Sequence, residues 1–278
     1  MRKVRSRVAS VLTAIALVAP GPDQSGPAAA ADGQPAAPPN VVEGDAAAAA
    51  VSAFARDVTL FVILHELGHA LVREFDLPIL GNEETAADAF ATYYLTVYLP
   101  DRAADVLAAR VTSLMIEAGE TPDVDWRGEH DDDARRAYQI AALAVAADPL
   151  KYKAVAEAVG MTDEEARAAR DYGAEIRRSW RRVLAPLLMP DGLPSAEARV
   201  LRDPGSAFLD ALCGPPHGIA AEVEAAVKRF DWHSQVTVRF VDGDGGAAWS
   251  RGSRTITVHA GYVRRFVAQG RRGLPRAS

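Results

Sequence analysis

The sequence predicts a mainly α-helical fold of the α+β kind, with a small β-hairpin near the C-terminus. Three observations point there. Alanine is abundant while Phe, Trp and Tyr make up only 7% of the 278 residues, a balance that favours helix over strand. Apolar residues recur at helical spacing almost throughout residues 49–230, whereas only 235–241 (QVTVRFV) and 254–260 (RTITVHA) alternate apolar with polar, the period of a half-buried strand. A hydrophobic content of 49% is ample for a buried core in a chain of this size.

Residues 1–31 begin with Arg2, Lys3, Arg5 and Arg7, continue as VASVLTAIALVA and end near AAAADG. This is the layout of a secretory signal peptide with cleavage near Ala31, and the apolar part is too short to stay as a membrane span. A secreted or extracytoplasmic protein is therefore expected, the alternative being a retained interfacial anchor. Residues 32–48 are rich in Ala and Pro without apolar periodicity and read as a linker. Helices are predicted over 49–74, 83–98, 101–118, 132–147, 150–159, 163–188 and 216–230, with LPILGN, LPD, AGETPDVDWRG, DP and LLMPDGLP as breakers between them. Thr162 three residues ahead of Glu165 is a capping box. Residues 49–215 read as the main helical domain, and 216–278 as a helix plus hairpin packed on it. The DGDGG between the two strands lacks the later ligands of a calcium loop and is read as a turn.

The formal charge of −6 becomes more negative once the basic leader is removed, which argues against nucleic acid as a partner. Cys213 is the single cysteine and cannot form an internal disulfide, so stability must come from the core or from a metal. Its setting, ALCGPPHG, suggests a half-buried small residue rather than a nucleophile.

The stretch FVILHELGHALV, residues 61–72, is apolar enough for a buried helix yet carries two histidines and a glutamate. Residues four apart return to nearly the same helical face, so His65 and His69 project side by side at a spacing suited to one zinc ion. Glu66, one step round, is placed to serve a metal-activated water as general base. Such a five-residue match turns up by chance in roughly one chain of this length in a hundred, so a third ligand is required. In LGNEETAADAFATYYL, Asn82 is an N-cap and Glu84 and Asp88 fall four apart on one face. Glu84 is the expected third ligand, with Asp88 behind it to accept a bond from a ligating histidine. Glu83 is the rival ligand, but Ala87, four residues on, can support nothing.

HELGH followed by EETAAD resembles the gluzincin pattern of thermolysin-like peptidases. ILHELGHALV, LPILGNEETAADAFATYYL, WRGEHDDDARRAYQIAALAVAADP and SWRRVLAPLL together resemble a bacterial family of zinc metallopeptidases classed as a domain of unknown function. The resemblance covers roughly residues 55–188 and implies a zincin-like fold with zinc on His65, His69 and Glu84, Glu66 as base and Asp88 supporting. Two features depart from that family: its third and fourth blocks usually carry cysteines, absent here, and its strand pair precedes the HExxH helix. Here the comparable strands lie at the C-terminus, so the terminal hairpin is expected to fold back as the edge strand along which an extended substrate would pair.

Peptide hydrolysis through zinc and Glu66 leaves an oxyanion that needs a donor. GEHDDDARRAY offers His130, Arg136 and Tyr138, with His130 the first choice and Tyr138 the second; the acids 131–133 read as a solvated helix start. His217, His233 and His259 have no partner spacing. Three readings remain: a zinc metallopeptidase acting on peptides or proteins, a zinc-stabilised binding or scaffold protein, and a hydrolase of some non-peptide amide. Glu66 favours an enzyme, since a purely structural site has no use for a carboxylate there.

Overall fold

The computed structural model describes residues 52–79, 81–120 and 132–273. The expected signal peptide, the linker and His130 lie outside these residues. The first six helices are α1 (Ala53–Glu74), α2 (Glu83–Tyr98), α3 (Pro100–Glu120), α4 (Asp133–Ala147), α5 (Lys153–Ala158) and α6 (Asp163–Leu184). The C-terminal part adds β1 (Ala198–Arg202), α7 (Ala207–Cys213), α8 (Ala220–Val227), β2 (Val236–Val241), β3 (Ala247–Ser250), β4 (Thr255–His259) and α9 (Ala260–Gly273). The fold is thus mainly helical with one small sheet.

Helix α1 starts where the Ser52 hydroxyl accepts from the Ala55 N–H at 3.2 Å, and is buried on nearly every side. A helix apolar all round must run through the core, and α1 packs against α2, α3, α9 and strand β3. One buried cluster runs from Phe54 through Phe90, Val145 and Phe240 to Val267, so helices and sheet share a core. Among the described residues no helix is long and apolar enough to cross a membrane. The capping box at Thr162 and Glu165 is present.

The sheet differs from the expected hairpin. Its order is β1-β2-β4-β3, with β2 and β4 parallel and only β3 antiparallel to β4. The two alternating stretches are therefore parallel neighbours. The reason is the length of their connection: two-residue to five-residue loops make hairpins, whereas residues 242–254 are long enough to cross over, run back as AAWS and turn again. Gly243 and Gly245 take positive φ at the crossover and Arg254 at the second turn. Strand β1 and α7 are too short to carry a periodic signal, α9 goes unpredicted although Val263, Phe266 and Val267 fall at helical spacing on its buried face, and the helix expected at 216–230 is shorter because Pro215, Pro216 and Gly218 precede it. Helix α6 stops at Leu184 and gives way to a short 3-10 turn through Pro186.

Helices α1 and α2 approach closely at Gly68. A Cβ there would lie 3.0 Å from the Ala87 Cα and 3.2 Å from the Phe90 ring. Gly68→Ala gains roughly 1 kcal/mol of helix propensity, but overpacking against a backbone atom costs about 1–3 kcal/mol and wins. The variant should melt lower than wild type, whereas Gly119→Ala, with open space around it, should melt no lower; equal melting of Gly68→Ala and wild type would refute the close approach.

Candidate metal centre

Helix α1 presents His65 and His69 toward the first turns of α2, one helical turn apart. Their Nε2 atoms lie 3.1 Å from each other, and Glu84 reaches both, with Oε2 3.2 Å from the His65 Nε2 and Oε1 3.2 Å from the His69 Nε2. The potential ligand atoms of the three residues all fall within 4.8 Å of one another. Glu84 is positioned by the Asn82 cap, whose side chain accepts from the Glu84 N–H at 2.8 Å.

What lies behind each imidazole fixes its tautomer. The His65 Nδ1 is 2.7 Å from Asp88, and Asp88 is clamped by both edges of the Arg136 guanidinium at 2.8 and 3.0 Å. The His69 Nδ1 is 2.7 Å from Glu83, which also accepts from Arg73 at 2.9 Å. With each Nδ1–H donated to a carboxylate, both Nε2 lone pairs converge on Glu84. With both imidazoles neutral, three acceptors with no donor between them would repel one another, and either a proton or a metal cation relieves that repulsion. Two imidazoles and a carboxylate at this spacing suit a metal ion held by three protein ligands.

Asp88 stands where the sequence placed it, and Glu83 does more than the sequence suggested: it is the support of His69. The clue was Arg73, four residues after His69, which pairs with the same carboxylate. Arg136, a candidate donor from the sequence, is instead spent on Asp88. Tyr138 requires a correction. It lies on the opposite side of α4 from Arg136, and its hydroxyl bonds Glu165 at the start of α6, so it faces away from the metal ligands.

The carboxylate of Glu66 accepts the backbone N–H of Trp249 in β3 at 2.7 Å. Burial pushes its carboxyl pKa up, partly opposed by the two histidines. A cavity of about 240 Å³ opens beside the site, with Phe61, Glu66, Arg110, Ala247 and Tyr262 in its wall. Tyr262, on α9 nearly two hundred residues from His65, has no sequence signal that links it to HELGH.

In the metal-free protein, burial opposes charging of His65, but Asp88 by charge and hydrogen bond, together with Glu84, outweighs it and raises the imidazole to about 9. His69 is shifted upward as well, against burial, by Glu84 and Glu83. Burial alone would raise Glu84 and Asp88, yet the histidines, with Arg136 beside Asp88, hold both well below the usual carboxylate range. Protons thus occupy the place that a metal takes.

A family model described as "Putative metallopeptidase" matches residues 41–184, more than half of the chain, and the chain belongs to this family. A search of curated proteins finds no match, and neither does a search of solved structures.

Two measurements check the centre. Asp88→Asn should weaken metal affinity by roughly 10- to 100-fold, and Glu83→Gln by less, because its partner Arg73 is half exposed; equal affinity in Asp88→Asn and wild type would remove Asp88 from the site. The raised His65 pKa stabilises the metal-free fold fully below the unfolded value of about 6.5, and that contribution is lost as pH rises through about 9. Chelated protein should therefore melt progressively lower between pH 6.5 and 9, whereas metal-loaded protein should not. A flat profile for the chelated form would contradict this.

Proposed function

We propose that this member of the metallopeptidase family is an exported zinc enzyme that hydrolyses peptide bonds, with Glu66 as general base. The observation that carries the reading is the placement of Glu66 between the metal ligands and the edge strand. It sits one residue after His65, and its carboxylate is held by Trp249 of β3, the outermost strand of the sheet.

His65, His69 and Glu84 would hold the zinc, which when bound would supply polarisation of the scissile carbonyl and acidification of water. Glu66 accepts the proton from that water and passes it to the leaving amine. Its raised pKa, a result of burial, brings it closer to the working pH and makes the return of the proton easier. Asp88 and Glu83 hold the imidazoles in the tautomer that ligates. Tyr262 lines the cavity beside them and takes the role of oxyanion donor for which Tyr138 is turned the wrong way.

The edge strand supports a peptide substrate. Gly246 bonds His259 across the β3–β4 pair, so by alternation the peptide groups of Ala247 and Trp249 point away from β4. Trp249 serves Glu66 with its N–H, and the Ala247 position is placed to pair with an extended chain. Export follows from the basic and apolar layout of residues 1–31.

Incubating the zinc-loaded protein with a diverse peptide library tests the reading. Glu66→Gln should retain zinc while its cleavage rate falls by roughly 10²- to 10⁴-fold. Undiminished cleavage by the variant would eliminate Glu66 as the base. Absence of cleavage by both proteins would favour a scaffold, in which the bond from Glu66 to Trp249 merely ties helix to sheet.

A further inference from the structure

Arg110 on α3 is a buried cation that the metal centre leaves unused. It is 4% exposed, and its guanidinium lies 5.9 Å from the centre of the Phe61 ring. Among the described residues its Nε and Nη1 have no hydrogen-bond partner. The Glu117 carboxylate forms an ion pair with Arg110, 3.6 Å from Nη1, without a hydrogen bond to it, and accepts from Arg265 and Gln269, each at 3.2 Å. Asp133 interacts with Arg110 through charge alone.

Leaving the donors of a buried guanidinium unmet costs far more than the loss of an exposed hydrogen bond. The same side chain lines the cavity that holds His65, Glu66, Glu84, Ala247 and Tyr262. Arg136, also in that wall, has its fork filled by Asp88. The cavity therefore combines a hydrolytic centre with a cation whose planar fork matches a carboxylate. At about 240 Å³ it is smaller than the roughly 300–1,000 Å³ usual for ligand pockets, enough for one residue beside the scissile bond.

We infer that Arg110 binds a carboxylate of the substrate, so that the enzyme cleaves the peptide bond next to a negatively charged residue. The carboxylate is either the α-carboxylate of a chain end or the side chain of an Asp or Glu. This rests on the peptidase reading above and narrows it to a substrate class.

The test uses full-length zinc-loaded protein and short N-acetylated peptides in three forms: C-terminal acid, C-terminal amide, and amide with an internal Asp or Glu. Wild type should cleave a carboxylate-bearing form with kcat/KM roughly 10- to 100-fold above the neutral amides, the difference residing mainly in KM. An acid-over-amide gap identifies the chain end, and a gain from internal Asp or Glu identifies the side chain. Arg110→Gln should bring the ratio close to one, and Arg110→Lys, which keeps the charge but loses the fork, should retain part of it. Neutral amides cleaved as well as the acids by wild type, or a preference that persists in Arg110→Gln, would overturn the inference while leaving the peptidase reading intact.

Cleavage of no peptide at all would instead count against the peptidase reading. Calorimetric binding of the same peptides to Glu66→Gln then decides about Arg110. Tighter binding of the carboxylate forms, lost on adding Arg110→Gln, upholds the inference, and equal binding of all forms refutes it.

Discussion

Two imidazole nitrogens 3.1 Å apart, with a carboxylate oxygen 3.2 Å from each, sit in a buried seam between two helices. Without a cation among them, that seam is under electrostatic strain unless protons fill it. Much of the surrounding structure serves to hold this cluster together. The close contact of α1 and α2 at Gly68 and Ala87 brings Glu84 within reach of both histidines. The Asn82 cap fixes the turn from which Glu84 projects. The apolar surface of α1 keeps bulk water from competing for the ligands.

The two histidines are supported unequally, and the difference is physical. Asp88 is almost wholly buried and meets a buried Arg136 through two charge-assisted bonds, the stronger kind of ion pair because solvent screens it little. Glu83 and Arg73 form the corresponding pair at the rim, where Arg73 is half exposed and salt weakens the attraction. His65 is therefore the rigid ligand and His69 the adaptable one. The same asymmetry appears in sequence: Asp88 lies four residues after Glu84 and reads as a support, while Glu83, in the same turn as Glu84, reads as its rival for the metal.

Legibility followed the range of the interaction. HELGH, the Asn82 cap, Glu84 and Asp88 are bound by helical periodicity within a few residues, so spacing alone located them, and the boundaries of α2 follow from the same local rules. The sheet pairing does not obey a local rule. Alternation marked 235–241 and 254–260 as strands but carries no information on whether neighbours run parallel, and the short AAWS strand lay hidden in the Gly-rich connection. Tyr138 failed for a related reason: two residues along a helix from Arg136 turn a side chain through about 200°, so proximity in sequence to a site residue meant the opposite face. Trp249, Tyr262 and Arg110 reach the cavity from β3, α9 and α3, and only tertiary packing unites them with His65.

The family match ends at residue 184, where α6 ends. The candidate metal ligands and their supports all fall inside that span, whereas β3 and α9, which close the cavity on its other side, fall outside it. Membership thus speaks to a metallopeptidase class of chemistry, while the surface proposed to meet a substrate is drawn partly from residues beyond the matched segment. Glu66 joins the two portions, since it belongs to the matched helix but takes its hydrogen bond from Trp249. Any shift of the sheet relative to α1 would move the base as well as the edge strand, so the sheet and the proposed chemistry are coupled through one 2.7 Å bond. A substrate strand pairing beside Ala247 would brace that edge from its open side and hold Trp249, and with it Glu66, in register with the metal ligands.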